Sequence, residues 1–401
     1  MTKILLMTPD ELYPIDRGAV TRVIVGARFL SKYGLEIHVI GGNTTKDGLG
    51  KAVDAAGGRI FAYQPSLIRR MDNFLNYRVP ALNIRLNNPF VRYDFAHTIK
   101  RIRPDLIQFE SLFLAHQGSQ VAKKWNVPTI LEMHNIEHIR LVEEGTVDPK
   151  QAETLKLFER NVCNSVDCVI TFSQEDKRRL AEIGVHRKIE VVPNGVDYVK
   201  YQITEETRQS MREKYGIGSN QIVLVFHGML KYRPTQVANT LLVNTIFPEL
   251  TKRYRNLRLL LIGPGHPKEI SKQIIQLPSI PSSVFIQHLS MGDIGVVPLL
   301  AGSGTRTKII EYLALGIPTV STEIGAEGLP VTNGENILIA KDEKISFVQE
   351  TIKLIENREL RERLKRNGKR LVRENLDLSA IYKSSLKIYE DLTLGKKDLE
   401  L

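Results

Sequence analysis

A chain of 401 residues with 42% hydrophobic and 25% charged residues is too long for one small core and too apolar for disorder, so two folded domains are expected. Its 56 basic residues outnumber 45 acidic ones, a formal charge of +11 that suits a phosphorylated ligand, an anionic lipid surface or nucleic acid. No stretch reaches the ~18 apolar residues of a membrane span, and the apolar run in MTKILLMTPDELYP is too short for a secretory leader, so a cytoplasmic protein is expected.

In chain order, KILLMTP reads as a short apolar strand, and helix signals run from Val20 to Tyr33, closed by Gly34. The loop between them carries Arg17-Gly18-Ala19. At a helix start its N–H groups can face an anion, or simply turn the chain. EIHVIGG, DLIQFE, PTILEMH, DCVITFS and IEVVPNG follow as short continuous apolar runs, the mark of strands buried on both faces. Helical stretches lie between most of them, which predicts a parallel sheet with crossover helices. Residues 59–103 hold nine Lys or Arg against two acids, interleaved with Phe61, Tyr63, Phe74, Tyr77, Phe90 and Tyr93. Such a segment suits a membrane surface, single-stranded nucleic acid, or solvated helix faces. His134 directly follows PTILEM at a strand end, where an imidazole can handle a proton, contact a hydroxyl, or lie at the surface beside a capping Asn135. Cys163 and Cys168 have no His or Cys cluster beside them and read as small core residues of a reducing compartment.

The pattern restarts after the turn Pro193-Asn194-Gly195 and the polar run from Gln202 to Asn220. QIVLVFHG, LRLLLIGPG, IIQL, DIGVVPL and IPTVST read as strands. TQVANTLLVNTIFPELTKRY, SVFIQHLSMG and TKIIEYLALG read as helices, and the tail from Lys344 is mostly helical. The expected fold is α/β, two Rossmann-like doubly wound domains over 1–193 and 194–377, facing across a cleft. Open sheets of this kind bind ligands at their strand C-terminal ends, and a cleft between domains is the default site.

Three glycine turns close strands of the second half: His227-Gly228-Met229, Gly263-Pro264-Gly265 and Gly302-Ser303-Gly304. Glycine lets a backbone approach a diphosphate closely. After Thr305 come Arg306 and Lys308 at a helix start, where positive charge and free N–H groups favour phosphate. Glu311 lies three residues beyond Lys308 on the same face. It can accept from two ribose hydroxyls or pair with Lys308. The phosphate loop of the Gly-x-x-x-x-Gly-Lys-Ser/Thr type is absent, and so is Asp-x-Asp, which argues against a P-loop nucleotidase and a metal-bridged diphosphate.

Taken together, "RPDLIQFE", "LEMHNIEH", "TFSQEDKRRL", "VVPNGVD", "FHGMLKYRPT", "LIGPG", "DIGVVPL" and above all "GSGTRTKIIEYLALGIPTVSTEIGAEGL" make the chain resemble glycosyltransferase family 4, retaining sugar transferases of GT-B architecture. The resemblance covers nearly the whole chain in order. It implies an N-terminal acceptor domain with the Arg17-Gly18-Ala19 loop, a C-terminal domain for a nucleotide-sugar donor, and a terminal helix over 378–401 packing back on the first domain. It implies that Glu311 holds the nucleotide ribose and that His134 meets the donor sugar. The family's preceding acid falls at Ser303, and its usual Arg and Lys of the diphosphate clamp fall at Met229 and Pro234. Arg306 and Lys308, with Arg233 as a weaker choice, are the expected replacement, supported by Gly228, Gly263, Gly265, Ser303, Gly304 and Thr305. The resemblance further implies no cofactor, no metal and no nucleic acid, and an acceptor that is a glycan or a lipid-linked glycan in cell-surface polysaccharide synthesis. With a lipid-linked acceptor, 59–103 would hold the protein peripherally on the inner face of the membrane. A sugar-nucleotide epimerase of the same architecture and a catalytically degenerate binding protein are the alternatives.

Overall fold

In the computed structural model the apolar runs form two parallel sheets. It describes residues 1–13, 18–42, 45–57, 60–63, 89–230, 232–265, 271–278, 280–302 and 306–397. The chain divides into two units, Met1–Pro193 with Ile381–Leu401, and Asn194–Ala380.

The first unit holds β1 (Lys3–Met7), β2 (Glu36–Ile40), β3 (Ile60–Tyr63), β4 (Leu106–Phe109), β5 (Thr129–Glu132), β6 (Cys168–Thr171) and β7 (Lys188–Val191), in the order β3-β2-β1-β4-β5-β6-β7. The second holds β8 (Ile222–His227), β9 (Leu257–Ile262), β10 (Ile274–Leu277), β11 (Ile294–Val297), β12 (Thr319–Thr322) and β13 (Leu338–Ala340), in the order β10-β9-β8-β11-β12-β13. Every pairing is parallel. Each sheet starts in its middle, winds outward one way, then returns past its first strand. The strands on either side of that reversal, β1 with β4 and β8 with β11, form the switch point where doubly wound sheets bind ligands.

The strands stay put because both faces are covered. All residues of β4, β5, β6, β11 and β12 are buried. Val223 to Phe226 and Leu259 to Leu261 are wholly buried, each such branched or aromatic side chain contributing about 1.5–3 kcal/mol. Glycine spacers let helices come close: a Cβ at Gly118 would lie 2.4 Å from the Phe109 ring.

The structure departs from the sequence reading in four places. The first helix begins at Gly18 and runs to Lys32. The polar run after Gln202 contains the helix Glu205–Lys214, capped by the Thr204 side chain accepting from the Thr207 N–H. The long helix read over 235–254 is broken. It runs Arg233–Leu241, opens into a π turn over Leu242–Ile246, and resumes over Phe247–Arg253. Pro248 has no N–H to bond back one turn, so the ladder shifts register there. Finally, β3 and β13 are strands that the sequence reading passed over, four and three residues long.

The helix Leu378–Lys397 buries Tyr382 and Tyr389 in the first unit, where their hydroxyls donate to the Arg22 carbonyl (3.3 Å) and to Gln108 Oε1 (2.8 Å). Among the described residues, no helix is long and apolar enough to cross a membrane.

Candidate functional site

At the C-terminal ends of the second sheet, glycine is required by contact and by backbone. Gly228 has φ +152° and Gly263 φ +133°, and a Cβ on Gly263 would lie 2.1 Å from the Gly228 carbonyl oxygen. The turns after β8 and β9 therefore press on one another with no side chain between them. Gly302, after β11, has φ +122°, and its carbonyl accepts from the buried Arg306 guanidinium. Gly265 turns beside Leu230.

Arg306 caps the helix Thr307–Leu315, and Lys308 stands in its first turn. The Lys308 ammonium lies 5.0 Å over the Phe226 ring and 3.5 Å from where a Gly228 Cβ would sit. Among the described residues it makes no ion pair. Burial, and then the neighbouring Arg306, push its pKa down to about 8, against a smaller pull from Glu311. A helix N-terminus, two close cations and a glycine turn thus converge with no acid holding Lys308 in place. Such an arrangement is stabilised by an anion.

Glu311, one turn further, has other partners than Lys308. Its Oε1 accepts from the Tyr201 hydroxyl (3.0 Å), and its Oε2 faces His227 Nε2 (2.9 Å). The Tyr312 hydroxyl accepts from the His227 N–H (3.1 Å) and lies 2.9 Å from His227 Nδ1. Its one proton is therefore free for Nδ1, which leaves Nε2–H to donate to Glu311. Burial, then Glu311, push the Tyr201 hydroxyl far up, so it stays a donor. The ion pair with Lys308 that the spacing allowed is replaced by this Tyr201–Glu311–His227–Tyr312 array. His227 could be suspected from its place beside Gly228. Tyr201, 110 residues from Glu311, carries no local signal.

Arg233 is exposed at the first residue of its helix, without an ion pair among the described residues. Gly18 and Ala19 open the helix after β1. Arg17, Ser303, Gly304 and Thr305 lie outside the described residues, as does most of the basic segment, including Arg69, Arg70, Arg78 and Arg85.

In the first unit, His134 follows β5, and its Nε2 lies 2.9 Å from Glu110 Oε2, just past β4. Glu110 Oε1 accepts from Gln108 Nε2 (2.7 Å), which also donates to Glu132 Oε2 (3.0 Å). Glu132 Oε1 accepts from Arg22 Nε (2.8 Å), and Arg22 donates onward to the Pro193 and Val192 carbonyls (2.8 and 3.1 Å). Arg22, Glu110 and Glu132 are all buried. Burial, then Glu132, push the Glu110 carboxyl up against the pull of His134. Burial works against a charged His134, but Glu110 outweighs it and the imidazole pKa is raised. The loop is pinned from below, since buried Glu159 accepts from the Glu137 N–H (2.8 Å) and holds His138 Nδ1 (2.5 Å). Glu110, Glu132 and His134 bring ligand atoms within 4.8 Å of one another, close enough for a metal ion. Each carboxylate oxygen already faces a hydrogen-bonding partner, so the cluster is complete as a hydrogen-bonded array. Only His134 of this array was singled out from sequence.

Comparison with known proteins now bears on the chain. The model "Glycosyltransferase Family 4" matches residues 17–200, and "Glycosyl transferases group 1" matches 221–357. A GDP-mannose-dependent alpha-(1-6)-phosphatidylinositol monomannoside mannosyltransferase of Mycolicibacterium smegmatis is 26% identical over 44% of this chain and 46% of its own. The alpha-monoglucosyldiacylglycerol synthase of Acholeplasma laidlawii is 23% identical over 90% of each chain. Among the curated relatives of highest similarity, the chain spans about half of their length. The structure of Anabaena Alr3699/HepE in complex with UDP-glucose superposes with a TM-score of 0.74 at 15% identity, over 98% of this chain and 100% of that one.

Proposed function

The chain belongs to glycosyltransferase family 4 and has the two α/β units of GT-B proteins, and we propose that it moves a sugar, with retention, from a nucleotide-sugar to a glycan or lipid-linked acceptor. The observation that carries this reading is the meeting of Arg306 and Lys308 at a helix start against the Gly228 turn, with Glu311 one turn on. In this reading the diphosphate lies on the two cations and the loop N–H groups, and the ribose hydroxyls donate to the lone pairs of Glu311 that Tyr201 and His227 leave open. As the bond from the anomeric carbon to the diphosphate oxygen breaks, charge grows on that oxygen. Fixed cations in a partly buried site stabilise the growing charge. The acceptor hydroxyl then forms the new bond on the same face and gives its proton to the departing diphosphate oxygen. His134 offers a hydrogen bond to a sugar hydroxyl at the end of the first sheet, and no metal or cofactor takes part.

The names of the two curated relatives, both lipid-modifying, support a lipid-linked acceptor, and the UDP-glucose complex supports a nucleotide-sugar donor. In the described part of the basic segment, the helix Pro89–Ile102 exposes Tyr93, His97, Lys100 and Arg101. That surface supports peripheral contact with an anionic bilayer. The test is incubation of the full chain with a panel of nucleotide-sugars and with glycan and lipid acceptors. Transfer supports the reading. Isomerisation of the sugar without an acceptor, or binding without turnover, overturns it.

A further inference from the structure

His134 cannot be understood without the residues behind it. Behind its ring lie two buried carboxylates, Glu110 and Glu132, with one permanent cation, Arg22. Gln108 lies between them and donates a hydrogen bond from its amide nitrogen to each, while its carbonyl accepts from the Tyr389 hydroxyl, so two carboxylates and one hydroxyl set its orientation. Glu110 is thus held on Oε1 and offers Oε2 to the His134 ring. While Glu110 is ionised its carboxylate only accepts, so the ring nitrogen facing it carries the proton. The ring also packs T-shaped against Phe172, with 5.3 Å between centroids. The other ring nitrogen, Nδ1, has no hydrogen-bond partner among the described residues, while the side chain is 18% exposed.

We propose that Glu110 is a positioning residue for His134: it holds the ring by Nε2–H and so presents Nδ1 to a hydroxyl of a sugar at this end of the first sheet, as an acceptor when the ring is neutral and as a donor when it is protonated. The assignment of a sugar as that partner rests on the proposed function. The state of the ring does not. The charge count agrees with it. One Arg cannot balance two buried carboxylates, so a proton on His134 is favoured, and the Glu110 contact is the cause that raises its pKa despite burial. Gln108, Tyr389 and Arg22 act one step further back, by keeping Glu110 and Glu132 in place.

The experiment is imidazole ¹⁵N NMR of the full chain labelled at histidine, with His134 assigned by its loss in His134→Asn. In the wild type, His134 should titrate above the ordinary histidine range and keep its remaining proton on Nε2 once neutral. In Glu110→Gln the burial of the ring remains but the charge is gone, so the titration should fall below that range, with circular dichroism unchanged. Tyr389→Phe should move it in the same direction and less far. A wild-type neutral ring protonated on Nδ1 overturns the proposal, and so does an unchanged titration in Glu110→Gln. If Glu110→Gln does not fold, the wild-type tautomer still decides. A separate titration of the wild type with UDP and GDP reports on the proposed function. Absence of binding there would leave the state of the ring standing and remove only the sugar as its partner.

Discussion

The two units share one strand order, and their switch points are built in opposite ways. At the C-terminal ends of β4 and β5, the first unit collects acids and then satisfies them internally: Arg22, Gln108 and His134 supply a partner for each oxygen of Glu110 and Glu132. Past β8 and β11, the second unit collects cations and leaves Lys308 without an ion pair among the described residues, although Glu311 is one turn away and pairs instead with Tyr201 and His227. The difference shows that a fold of this class sets where a site lies and leaves its charge to the loops. One switch point satisfies its acids with its own side chains and can hold a ring still. In the proposed reading, the other is completed by an anion from outside.

The comparison breaks most severely where the closed network is opened. Arg22→Ala would leave Glu132 buried without its cation, and removing one partner of a buried pair costs about 3–5 kcal/mol. The melting temperature should drop by many degrees, measured by thermal unfolding, whereas Lys308→Ala should leave it nearly unchanged. Next in size come Arg306→Ala and Lys308→Ala themselves. Each removes a charge from where the leaving diphosphate develops its own, worth ~2.7–4 kcal/mol, so turnover should fall roughly hundredfold or more in a folded protein. A loss below about threefold in both would move that role to Arg233 or to loop N–H groups.

Glu311→Gln should weaken nucleoside diphosphate binding roughly tenfold or more, from a charge-assisted hydrogen bond of about 1.5–3 kcal/mol. Tyr201→Phe, which only loosens that carboxylate, should cost about 1 kcal/mol, roughly fivefold. Equal affinity in Glu311→Gln and wild type would make the array structural. The smallest effect is a pH slope. The Lys308 pKa lies near 8 in the free protein, and a bound anion favours its charged form. Below that pH the site is already charged and affinity should be flat. Above it, binding requires proton uptake, so affinity should decline as pH rises, and the decline should vanish in Lys308→Ala.

Much of the fold was legible because buried parallel strands write themselves as short apolar runs, and LLLI or VITF needs no partner to be recognised. IFAY and LIA, now β3 and β13, were passed over because so short a run at or near a sheet edge does not stand out. The break in the helix after Arg233 is visible only when Pro248 is weighed against an otherwise helical pattern. At the site, Arg306, Lys308 and Glu311 are marked by spacing along one stretch of chain, and Gly228 by its turn directly after a strand. Tyr201, Gln108, Glu110 and Tyr389 are ordinary residues in ordinary elements, and their roles arise from contacts between residues far apart in sequence, such as Tyr389 with Gln108. No local pattern encodes those.

The central claim, that the second switch point is completed by a diphosphate, is tested most directly by calorimetric titration of the full chain with UDP, GDP and ADP at pH 7 and fixed salt. At least one should bind to the wild type, Arg306→Ala and Lys308→Ala should each weaken it tenfold or more, and Glu110→Gln should bind it as the wild type does. Undiminished binding in folded Arg306→Ala and Lys308→Ala would contradict it.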